Sequence, residues 1–173
     1  MGVPIIIEKL EDVDPLLSRV CETANRTAQA LARVSASEPG GLELLRRMKF
    51  TEMAWHPIDD GRSLNLVEQI NQTWTCLVSF KSLRFLFDRH PDAGGFRLNL
   101  GTEPGTDVIS LRPDVVAAEA FAAVHPSNNR KLAKDLAKLD GVRLGRPEPG
   151  RGLTDRVRFR HSASGCAVTR DSG

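Results

Sequence analysis

The stretch GTDVISLRPDVVAAEAFAAV, Gly105 to Val124, decides how this chain is read. It opens on a glycine-bounded turn, after which Asp107-Val-Ile-Ser-Leu111 has the β-branched content of a short strand. Arg112-Pro113-Asp114 is a tight connection, because proline presets a turn dihedral and aspartate tolerates turn geometry. Val115 to Val124 is then almost wholly apolar, as expected of a strand covered on both faces. A helix is also open to this run, since alanine is the best helix former. The strand is favoured because two strand-like segments joined by short turns precede it.

Upstream, after Asp92-Ala-Gly-Gly, the residues Phe96, Leu98 and Leu100 alternate with Arg97 and Asn99, the pattern of a half-buried strand. Before that, Ser63 is expected to cap a helix. Val67, Ile70, Trp74, Leu77 and Val78 would form its inward face, with Glu68, Asn71, Gln72, Thr75 and Ser79 as the adjoining polar strip. Downstream, His125-Pro126 ends the third strand and Ser127 caps a helix to Leu139. In that helix Leu132, Leu136 and Leu139 turn inward, and Lys131, Lys134, Asp135 and Lys138 outward. Residues 63–144 therefore read as one mixed α/β unit: helix, three strands, helix.

Residues 1–62 read as an N-terminal helical region packed on that unit. Ile5 to Ile7 is an edge strand or arm, Val13 to Val34 a long amphipathic helix, Ser35 to Gly41 a turn-rich break, Leu42 to Met48 a short helix, and Trp55 to Gly61 a loop. Residues 145–173 read as a basic, largely irregular tail. Val142-Arg-Leu and Arg156 to Arg160 are at most brief edge strands, and the last dozen residues are expected to be disordered. The change of composition suggests a C-terminus truncated or replaced, leaving the sheet with a marginal edge.

Bulk properties bound the function less tightly. The 173 residues suit one core with loose ends, and the formal charge of +2 argues for no partner. Its distribution says more: the stretch from Gly141 onward holds seven Arg against three acidic residues, and the remainder carries a slight acidic excess. A basic tail is compatible with a polyanion, although short basic tails are common. Cys21, Cys76 and Cys166 are too far apart for a CxxC zinc site or an evident disulfide frame, which points to a reducing compartment. The first residues lack the form of a secretory signal and no segment is long enough to span a membrane, so the cytoplasm is the expected location. HExxH, P-loop, G-x-G-x-x-G and nucleophile-elbow patterns are all missing. With no Tyr and only two Trp, a base-stacking platform is poorly supported.

Asp107 and Glu119 are the two acidic residues set in the most apolar surroundings. A carboxylate buried alone is expensive unless it is paired, protonated or bound to a cation. Adjacent strands joined by a tight turn bring such groups close, and Mg²⁺ is the natural ion for two hard oxygen donors. The structural alternatives are Asp107 as a turn residue, and Glu119 reaching a helix N-terminus or an arginine.

The order helix with Glu68, strand, strand opening at Asp107, strand holding Glu119, helix resembles the core of the restriction-endonuclease-like superfamily, the PD-(D/E)xK nucleases. The resemblance covers Ser63 to Leu139. It implies a helix, three-stranded mixed sheet, helix core, and a magnesium-dependent (or Mn²⁺-dependent) endonuclease hydrolysing DNA phosphodiesters, as in a restriction or defence component. Asp107 and Glu119 would ligate Mg²⁺, and Glu68 would hold it through water or anchor a second ion. Two departures stand out. Gly105-Thr106 occupy the place where the pattern often has a proline, and Phe121 stands where the family has its lysine, two residues after the third-strand Glu. A lysine there orients the attacking water or stabilises charge on the phosphorus oxygens. Lys131, early in the following helix, is the candidate replacement. Arg130 and Lys134 are candidates for holding backbone phosphates, Asn128 and Asn129 weaker ones, and Gln72, one turn after Glu68, is a candidate for touching metal-bound water or substrate. A homodimer would suit cleavage of both duplex strands. The alternative keeps the fold and loses the chemistry: an inactive nuclease-fold module binding nucleic acid or protein.

Overall fold

Alternating and apolar runs in this chain do become strands, and its longest periodic segments become helices. The computed structural model describes residues 5–37, 40–100, 106–113, 115–122, 155–162 and 165–170. In chain order the elements are β1 (Ile5–Ile7), a single 3-10 turn (Leu10–Asp12), α1 (Val13–Ser37), α2 (Gly41–Phe50), β2 (Ala54–Trp55), β3 (Ser63–Leu64), α3 (Leu66–Arg89), β4 (Phe96–Leu98), β5 (Val108–Ser110), β6 (Val116–Ala122), β7 (Asp155–Ser162) and β8 (Gly165–Arg170). The class is mixed α/β. By compactness the chain divides into two units, Asp14–Leu77 and the remainder, with α3 contributing a half to each.

The larger unit is built on a sheet ordered β1-β4-β5-β6-β7-β8. β1, β4, β5 and β6 pair antiparallel in sequence, β6 and β7 pair parallel, and β7 and β8 pair antiparallel. Alternation decides the faces. Ile7, Phe96, Leu98, Val108, Val116 and Ala118 are buried on one side, while Ile6 and Arg97 on the other are exposed. Phe87 of α3 meets Phe96 edge-to-face with ring centroids 4.9 Å apart, so the second half of α3 packs on the apolar face. The start of β4 sits tightly against β1. Gly95 has φ +103°, and a Cβ there would come within 2.7 Å of the Ile7 carbonyl oxygen, so glycine is required on both counts. Between β5 and β6 the turn is stitched by one side chain. Ser110 Oγ accepts from the Val116 amide at 3.0 Å and donates to the Arg112 carbonyl at 2.7 Å.

The Asp14–Leu77 unit holds most of α1, α2, the β2–β3 hairpin and the first half of α3. Val20, Thr23 and Thr27 form the buried stripe of α1. Thr23 Oγ1 donates to the Pro57 carbonyl at 3.4 Å, and the Arg26 guanidinium lies 3.6 Å from the centroid of the Trp55 ring. The hairpin pairs Ala54 with Leu64 and Trp55 with Ser63.

Four expectations are corrected. Trp55 is in a strand, where the sequence reads as loop. Ser63 does not cap the helix: it lies in β3 and its hydroxyl donates to Glu52 at 2.6 Å, while Asn65 Oδ1 accepts the Glu68 amide at 2.9 Å as the true cap. The inward face of α3 is rotated. Val78 is buried as expected, but Val67, Ile70 and Trp74 are between 44% and 49% exposed, whereas Leu66, Gln69, Cys76, Ser79, Phe80, Ser82, Leu83 and Leu86 are buried. Small side chains at Cys76, Ser79 and Ser82 allow close packing, and Ser82 Oγ satisfies itself by donating to the Ser79 carbonyl at 2.7 Å. Finally, the tail is not a marginal edge. Arg156 to Arg160 lies within β7, flanked by a strand on each side, and Gly165–Arg170 is a strand where disorder was expected. The expected helix from Ser127 to Leu139 lies outside the described residues.

Candidate functional site

β5 and β6 present the two carboxylates singled out by the sequence. The strands pair Val108 with Ala118 and Ile109 with Ala117. Continuing that antiparallel register by one step sets Asp107 directly across from Glu119. Asp107 also reaches β6 through its side chain, whose carboxylate accepts the amide of Ala120, the residue after Glu119, at 2.9 Å. Directly opposed residues have Cβ atoms about 4.5–5.5 Å apart. The structure therefore brings Asp107 and Glu119 together.

Their environments differ. Asp107 is half-buried and its Oδ2 accepts the Ala120 amide at 2.9 Å, so the side chain takes over as acceptor where the β5 backbone ends. Glu119 is 3% exposed, between Ala118 and Ala120, which are also buried. Removing a carboxylate from water in this way has to be offset by charge or hydrogen bonding nearby. Two hard oxygen groups on adjacent strands fit a divalent ion of the Mg²⁺ or Mn²⁺ type.

Other expected members are placed differently. Glu68 is exposed in the first turn of α3 and belongs to the Asp14–Leu77 unit, whereas Asp107 and Glu119 belong to the other. Gln72 is half-buried on the same helix. Lys131, Arg130, Lys134, Asn128 and Asn129 lie outside the described residues. Among the described residues no group of three or more His, Cys, Asp and Glu could hold a metal ion. No described helix is long and apolar enough to cross a membrane.

The register also reveals a neighbour that a reading of local patterns misses. β7 runs parallel to β6 and pairs Arg156 with Ala117, Arg158 with Glu119 and Arg160 with Phe121. The only local signal for this is the alternation Arg156-Val-Arg158-Phe-Arg160, which indicates a strand with its arginines on one face but not which strand it joins. No family model, no curated protein and no solved structure matches this chain.

Proposed function

We propose that this protein is a magnesium-dependent endonuclease-like protein acting on DNA phosphodiesters, with a core of the restriction-endonuclease type. The observation that carries the reading is the opposition of Asp107 and the buried Glu119 across β5 and β6. The order of elements supports it: α3, then three antiparallel strands, the second preceded directly by Asp107 and the third holding Glu119. So does the parallel β6–β7 pair. Parallel neighbours need a crossover of a dozen or more residues, usually helical, and the segment from Ser127 to Leu139 expected to be helical falls in that connection.

In this reading Asp107 and Glu119 supply the ligands for Mg²⁺ or Mn²⁺. A bound divalent ion lowers the pKa of water and screens charge on the phosphoryl oxygens. The Ala120 amide, next in the chain to Glu119, holds the Asp107 carboxylate at 2.9 Å. Arg130 and Lys134 are proposed to hold backbone phosphates, with Lys131 as the candidate for the displaced lysine.

Phe121 favours a second reading, because a phenylalanine at the lysine position can neither orient water nor stabilise an anion. The protein would then be an inactive nuclease-fold module that binds nucleic acid. Calorimetric titration of Mn²⁺ into wild type and Asp107→Ala, with plasmid nicking on the same samples, separates the two. The enzyme reading expects binding and nicking that are both lost in the variant. Metal binding without nicking indicates the inactive module, and neither in a folded wild type removes the metal site.

A further inference from the structure

We propose that Arg158 is the cationic member of the Asp107–Glu119 site and takes the part that Phe121 cannot. This inference rests on the metal-site reading above and deepens it. The register lays out one row across the sheet: Asp107 beside β5, Glu119 on β6, Arg158 on β7 and Thr169 on β8. Paired residues on neighbouring strands share a face, and adjacent strands are about 4.8 Å apart. The register thus sets Arg158 one strand from Glu119 and two from Asp107.

Electrostatics makes the placement significant. Glu119 is 3% exposed, and two carboxylates held opposite each other repel unless positive charge stands near. β7 carries Arg156, Arg158 and Arg160 in alternation, at register positions paired with Ala117, Glu119 and Phe121, and is the neighbouring strand that can supply that charge. Arginine stays protonated at any working pH and presents a planar fork of donors suited to carboxylates and phosphates alike. Without metal, Arg158 offsets the acidic pair. With metal and a phosphodiester present, it stabilises charge developing on the phosphoryl oxygens, the task that the resemblance gives to a lysine.

The test combines a double-mutant cycle with metal titration on the full chain. Melting is measured in EDTA for wild type, Arg158→Gln, Glu119→Gln and the double variant. Arg158→Gln is expected to lower the midpoint by about 2–4 °C when Glu119 is present and to have little effect in the Glu119→Gln background. Should Arg158→Gln alone fail to fold, folding of the double variant shows the same coupling. In Mn²⁺ titrations Arg158→Gln is expected to bind about fivefold tighter, the scale of one unit charge removed from a few ångströms away. Its nicking rate is expected to fall at least tenfold, with Arg158→Lys restoring part of it. Equal midpoint shifts in both backgrounds, with Mn²⁺ affinity unchanged, would overturn the inference and leave the metal site standing. Coupling between the two residues without Mn²⁺ binding in any variant would uphold the charge partnership and remove the metal reading.

Discussion

Single residues already carry opposite chemical fates. Cys76 is fully buried in α3, and burial pushes its thiol up to about 12, so it stays protonated and unreactive. Cys21 on α1 is exposed. Iodoacetamide mapped by mass spectrometry should label Cys21 in the native protein and Cys76 only after unfolding; equal rates at the two would contradict the packing of α3. His56 gives a pH dependence. Burial is the main cause that holds its imidazole below the ordinary 6.5, with Arg62 adding to the effect. Its Nδ1 also accepts the Ile58 amide at 3.3 Å, which requires the neutral ring. The unfolded chain therefore binds the proton more readily than the folded one. The stabilisation is whole above about pH 6.5 and is lost as pH falls through the lower folded value. Melting midpoints from pH 7.5 downward should fall more steeply for wild type than for His56→Gln, and identical slopes would show that His56 does not titrate with folding.

At the scale of elements, α3 provides the sharpest comparison. Its 24 residues are legible as a helix, but the inward face is not. Large apolar side chains at Val67, Ile70 and Trp74 suggest one face, while the helix buries another that includes Gln69, Ser79 and Ser82. Hydrophobicity alone cannot find a face where small residues are selected for close approach. Ile70→Ser should change stability by only about 0.5 kcal/mol, whereas Leu83→Ala should cost about 2–5 kcal/mol. Reversed costs in urea unfolding would restore the sequence-based face. The strands were more legible. Phe96-Arg97-Leu98 alternates in and out as expected, and Val116–Ala122 is a strand because it lies between β5 and β7 and is buried across several consecutive residues. Helix propensity of its alanines yields to that tertiary context.

Across the whole molecule, what could be read from the sequence is what depends on neighbours in sequence. The helices, the strands β4 to β6 and the acidic pair all follow from local pattern and from turns too short to permit another connection. The pairing of β7 with β6 does not, because it joins residues separated by more than thirty positions and no local feature records its register. That long-range pairing changes the meaning of the tail. Residues that read as loose, basic chain contribute two strands and put Arg156, Arg158 and Arg160 in register with Ala117, Glu119 and Phe121 of β6. The central claim is that Asp107 and Glu119 act together as a divalent-ion site. Its most direct test is Mn²⁺ calorimetry on folded wild type, Asp107→Ala and Glu119→Gln. The account predicts saturable binding to wild type, abolished in the first variant and weakened at least tenfold in the second. Binding that survives both substitutions, or none in the folded wild type, would contradict it.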